Sequence, residues 1–107
     1  MLNDKLSGYL GFAARSRNLQ AGQNTCLDLI KKKRAKLVLI TMDASDRTKD
    51  KIEVKCNSAG IPARVFGESD EISKITGNSG NTVFTLTDKG FAETIISEID
   101  RIRSEGE

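Results

Sequence analysis

The chain has 107 residues, with 17 Lys/Arg against 15 Asp/Glu, a net charge of +2 and no histidine. That length predicts one domain, over 1–103 with 104–107 a disordered tail, able to bury about two-thirds of its unfolded surface without disulfide staples. Without histidine the commonest acid–base side chain is missing, and no P-loop or dinucleotide glycine fingerprint occurs, so no catalytic residue and no cofactor are expected.

The first helix is predicted over 3–16. Leu6, Tyr9, Leu10 and Ala13 share one face, and Asn3 serves as N-cap. Gly8 and Gly11 lie inside it at a cost in helix propensity, which points to close packing against that backbone. Residues 19–21 read as a short extended segment ending at Gly22. A second helix covers 23–33, with Cys26, Leu27, Leu29 and Ile30 apolar and the cations Lys31, Lys32, Lys33 and Arg34 at its end. Residues 36–42 are a continuous β-branched and leucine run, the pattern of a strand covered on both faces. Asp43 is expected to cap the turn after that strand. Ser45 or Asp46 caps a third helix to residue 58, with Ile52, Cys56 and Ala59 inward, and Gly60 stops it. Pro62 opens a strand over 63–66, where its missing N–H matters least. A short helix fits 70–75, and 82–86 alternate as a strand. Asp88 caps a last helix with the stripe Phe91, Ile95, Ile96, Ile99 and Ile102. Regular alternation of helix and strand specifies the α/β class, a sheet with helices on both faces.

Charge is unevenly spread. Residues 1–64 hold 13 Lys/Arg against 6 Asp/Glu, and residues 65–107 hold 4 against 9. Such asymmetry suggests a basic face for nucleic acid. The Gly22-Gln23-Asn24-Thr25 turn opens a helix whose N-terminus presents free N–H groups and partial positive charge, both suited to a polyanion. Asn24 carries a donor and an acceptor on one plane, as two-point reading of a purine edge requires. It could equally be a plain capping residue. The cations that end the helix suit phosphates, or are simply its solvated end. An alternative function is a protein–protein interaction module with weak or vestigial RNA binding, its acidic half (Glu68, Asp70, Glu71, Glu93, Glu98, Asp100) facing a basic partner. Cys26 and Cys56 are predicted to be reduced, packed thiols, and two such residues without histidine give no metal site. No apolar run approaches the ~18 residues of a membrane span. With Asp4 near the start and no apolar leader, a cytoplasmic location is expected.

The order Gly22-Gln23-Asn24, Ala35 to Ile40, Asp43-Ala44-Ser45, Cys56 and Gly60-Ile61-Pro62 resembles the kink-turn RNA-binding ribosomal-protein family of the L-seven-Ae and L-thirty-e type. Leu10 to Arg15 looks like its short bacterial members, and Asp88 to Ala92 fits too. The resemblance covers nearly the whole chain and implies a three-layer α/β/α sandwich with a four-stranded mixed sheet. It implies binding, as a monomer, to structured RNA with a kink of tandem sheared G·A pairs, with the ribosome as a candidate partner and no membrane or small-molecule substrate. Gly22, Gln23, Asn24 and Thr25 would lie at those pairs, with Asp28, Lys31, Lys32, Lys33 and Arg34 behind them. A second loop, from about Ile75 through Thr76, Gly77, Asn78, Ser79, Gly80, Asn81 and Thr82 to Val83, would cover the nucleotide that leaves the stack. Two positions depart from the pattern. Thr25 stands where the family commonly has glutamate, and Asp28 where it commonly has lysine.

Overall fold

The computed structural model describes residues 2–105. Nine elements alternate along it: α1 (Asp4–Arg15), β1 (Leu19–Ala21), α2 (Gln23–Lys31), β2 (Leu37–Ile40), α3 (Asp46–Ala59), β3 (Ala63–Val65), α4 (Ser69–Thr76), β4 (Val83–Leu86) and α5 (Lys89–Glu105). Local chemistry sets most of the boundaries. Asn3 accepts the Leu6 N–H at 2.8 Å to start α1, and Ser45 accepts the Thr48 N–H at 3.1 Å to start α3. Gly60 closes α3 in the left-handed region. Asp88 accepts the Phe91 N–H at 2.9 Å at the head of α5. That helix runs on through Ser104 and Glu105, where the sequence suggests the start of a tail; residues 106 and 107 lie outside the described residues.

The sheet order is β1-β4-β2-β3. β4 is antiparallel to both β1 and β2, and β2 is parallel to β3. The sheet is therefore mixed, with the last strand of the chain inserted between the first two. Leu6 and Leu10 of α1, Ile72 of α4, and Ile95 and Ile99 of α5 pack on one face with Leu37, Leu39, Phe84 and Leu86. Cys26 of α2 and Ile52 and Cys56 of α3 pack on the other face with Val38, Ile40 and Val83. Every residue of β2 and β4 is buried. Each large core side chain contributes about 1.5–3 kcal/mol through burial. Thr85 alternates inward with this set, so β4 shows a polar residue in sequence at a position covered by helices in space.

Gly11 is buried, and a Cβ there would stand 3.5 Å from Ile75 Cγ2, so α1 comes close to α4 at that glycine. Gly8 has nothing within 4 Å of such an atom and no packing partner, contrary to the expectation for it.

Strand direction gives the sheet two distinct ends. At the upper end, β1, β2 and β3 finish and β4 begins, which gathers Gly22, the 41–45 turn, the 66–68 turn and loop 77–82. At the lower end, β2 begins and β4 finishes, which gathers 32–36, 60–62 and the start of α5.

Candidate nucleic-acid interface

Gly22 is the pivot of the upper end. Its φ is +113°, which L side chains rarely adopt. Its N–H donates to the Val83 carbonyl at 2.9 Å, so β1 is tied to the head of β4 just as the chain turns into α2. Gly22 is the N-cap of α2 and brings no side-chain cap; Cys26 is the first residue whose N–H reaches back to its carbonyl, at 3.0 Å. The N–H groups of Gln23, Asn24 and Thr25 thus form the open first turn. Asn24 lies inside the helix and is exposed, which replaces its reading as a cap. The Gln23 amide reaches Thr48 Oγ1 at 3.4 Å and joins the heads of α2 and α3.

Loop 77–82 lies beside this turn. A Cβ on Gly22 would be 3.8 Å from Asn81 Oδ1. Gly77 (φ +78°) and Gly80 (φ +76°) bend the loop, the Asn78 amide donates to the Thr76 carbonyl and the Asn81 amide to the Ser79 carbonyl, each at 3.2 Å. Thr82 accepts from the Thr41 N–H at 2.9 Å. Ser79 and Gly80 at the tip are exposed. The loop is shorter than expected. Ile75 and Thr76 are the last residues of α4, with Ile75 against α1, and Val83 is a buried strand residue.

The cations sit elsewhere. α2 spans nine residues, about 13 Å at 1.5 Å per residue. Gly22 is bound to Val83 and Lys36 to Leu86, at opposite ends of β4. The structure therefore brings Gly22–Thr25 together with 77–82 and leaves Lys31, Lys32, Lys33 and Arg34 at the lower end, all four exposed. Asp28 lies between, on the exposed face, and pairs with Lys32 at 3.0 Å. The sign reversal at Asp28 is therefore met inside the helix, in an exposed pair worth only about 0.3–0.5 kcal/mol.

Sequence reasoning missed the work of Asp43. It accepts the Ser69 N–H at 2.9 Å and the Ser69 hydroxyl at 2.5 Å, fastening the head of α4 to the upper end. Those bonds hold its carboxyl down at about 2. Part of the acidic half is similarly engaged: Glu98 is held by Arg101, Asn3 and Lys5, and Asp100 by Arg64. Glu93 makes only a long, exposed pair with Lys89, and Asp70 is exposed near the head of α4. Burial raises both thiols, Cys56 to about 12. Among the described residues no cluster of His, Cys, Asp or Glu could hold a metal, and no helix is long and apolar enough to cross a membrane.

A three-layer α/β/α sandwich with an uncapped helix head beside a polar loop defines a small binding domain of the ribosomal-protein type. The chain belongs to the ribosomal protein L7Ae/L30e/S12e/Gadd45 family, whose profile matches residues 4–96. It is 36% identical over 91 residues to RNA-binding protein YlxQ of Bacillus subtilis, covering 85% of this chain and 91% of that one. The YlxQ of Enterococcus faecium is 30% identical over 89 residues, covering 83% and 85%. A solved protein of unknown function from Bacillus halodurans superposes with a TM-score of 0.88 at 31% identity, over 92% of this chain and 99% of that one. The Giardia lamblia 15.5kD RNA binding protein shares the fold, with a TM-score of 0.73 at 19% identity over 94% and 92%. As a member of this family the chain is a binding protein and not an enzyme.

Proposed function

We propose that the chain binds structured RNA of the kink-turn type through its upper end, as a single-domain monomer in the cytoplasm, with the ribosome as a candidate site of action. The observation that carries this reading is the open first turn of α2, fixed at Gly22 beside loop 77–82. Free N–H groups at a helix head meet phosphate or purine acceptors. Exposed Asn24 stands among them with the planar amide that reads a purine edge. The flexible, polar loop beside it is suited to enclosing a nucleotide that leaves the stack. The two relatives named as RNA-binding proteins support the RNA partner. Lys31 ends α2 about two turns on, and Lys32, Lys33 and Arg34 follow it, so in this reading they meet phosphates of the stem that leaves the kink.

The test is a gel-shift titration with a kink-turn RNA and a straight duplex of equal length. Asn24→Ala is expected to weaken the kinked RNA by about 1–3 kcal/mol, the value of one two-point base contact, and to leave the straight duplex unchanged. Equal affinity of variant and parent for the kinked RNA would remove Asn24 from the recognition set.

A further inference from the structure

The lower end of the sheet carries a second feature, whose apolar part phosphate contacts at Lys31 and Lys33 leave unused. A groove of about 670 Å³ opens where the end of α2, the end of α3 and the start of α5 meet. Its floor is aliphatic, with Ile61, Pro62 and Ile96, and Ile61 and Ile96 are only half-buried. Its rim carries Lys31, Lys33, Lys36 and Lys89. One carboxylate, Glu93, is present, 3.9 Å from Lys89, in a pair where both side chains are largely exposed and the attraction is weak. Lys33 reaches the rim from a left-handed backbone, φ +61°, a position that glycine would occupy at lower cost.

We infer that this groove is a docking site for an acidic, amphipathic segment of a protein partner. Four ammonium groups around an apolar floor call for an occupant with carboxylates at its edges and aliphatic side chains along its centre. Nucleic acid meets only half of that demand. Phosphates suit the rim, but the groove has no aromatic ring to stack a base, and phosphate leaves the floor wet. The groove lies at the opposite end of the sheet from Gly22 and Asn24, so a protein segment there leaves the upper end open. The segment and an RNA stem then share Lys31 and Lys33 but not the Gly22–Asn24 turn.

The probe is a fluorescein-labelled helical peptide of about 15 residues, roughly four turns, with leucine on one face and glutamate on its flanks. Its controls are the same peptide with leucine replaced by serine, and an unkinked RNA hairpin. The full-length chain is expected to bind the first peptide and to show amide shifts at Ile61 and Ile96. Lys36→Glu combined with Lys89→Glu is expected to weaken that binding about tenfold, since two attractive charges become repulsive beside an apolar floor. The serine peptide should lose a similar factor, and Asn24→Ala should change nothing. Both reversed lysines are exposed, and circular dichroism checks that the variant is folded. No binding of the leucine peptide, binding indifferent to the double reversal or to the serine replacement, or shifts confined to the upper end would overturn the proposal. So would a hairpin that displaces the peptide and moves the same amides, which would make the groove a nucleic-acid surface.

Discussion

Lys33 and Arg17 hold φ values of +61° and +63° at the ends of α2 and α1. Their neighbours close the helices as a glycine motif would, with the Arg34 N–H on the Leu29 carbonyl and the Asn18 N–H on the Ala13 carbonyl. A side chain in this region costs about 1–2 kcal/mol. Lys33→Gly is therefore expected to raise stability by about 1 kcal/mol, read as a higher urea midpoint; a lower midpoint would show that the lysine stem packs in a way that repays the strain. Gly22 is the reverse case. Gly22→Ala has room for its methyl, with the nearest atom at 3.6 Å, but must hold φ +113°. It should lose about 1–2 kcal/mol of stability and, by turning the first turn of α2, RNA affinity as well. Gly8→Ala should gain about 0.5–1 kcal/mol, because its helix position is ordinary and its surroundings are open. Gly8 and Gly11 look alike in the sequence. What separates them is Ile75, on a helix far along the chain, and no local pattern carries that information.

Between helices, the tie from α1 to α5 is a pH-sensitive part of the fold. Glu98 is only 4% exposed and accepts from Asn3 Nδ2 at 2.9 Å and from Arg101, with Lys5 Nζ at 3.7 Å. The Arg101 and Asn3 bonds hold its carboxyl at about 2. The native state therefore binds fewer protons than the unfolded chain between that value and the usual glutamate value of about 4.3. The contribution is complete above about pH 4.3 and is lost as pH falls through about 2. Asp43 on Ser69 acts in the same direction over the same window. Thermal midpoints should fall steeply below about pH 4, and Glu98→Gln should flatten that slope; an acid slope unchanged in the variant would assign the effect to other carboxylates. The element order, the caps Asn3, Ser45 and Asp88 and the stop at Gly60 were readable because each is a local bargain between a side chain and nearby N–H or C=O groups. The second loop is shorter than its sequence suggests. Ile75 and Val83 flank it with hydrophobic residues, and only the tertiary fold shows that one packs on α1 and the other enters the sheet.

Across the molecule, helix direction parts what lies close in sequence. Asn24 and Arg34 belong to one run of residues, yet α2 carries them to opposite ends of the sheet. That separation follows from helix length alone; the order β1-β4-β2-β3 does not follow from sequence, since nothing local says which strand a buried strand will pair with. The separation has a measurable effect on salt dependence. Lys31→Ala should flatten the log–log salt slope of RNA binding by about 0.7–0.9, one phosphate contact. Lys32→Ala should change it less, because Asp28 already offsets that cation. Equal slopes for the two variants would show that the Asp28 pair opens on RNA. The strand order has a consequence for how the protein is made. Residues 37–40 leave the ribosome well before residues 83–86, by about 2–9 s at ordinary synthesis rates. Until β4 emerges, β1 has no partner and one edge of apolar β2 lies bare. A chain ended after residue 82 should show no cooperative thermal transition. Gly22 can donate to the Val83 carbonyl only when β4 slides in, so a nascent chain fixes the turn proposed to meet RNA in the same step that closes its sheet.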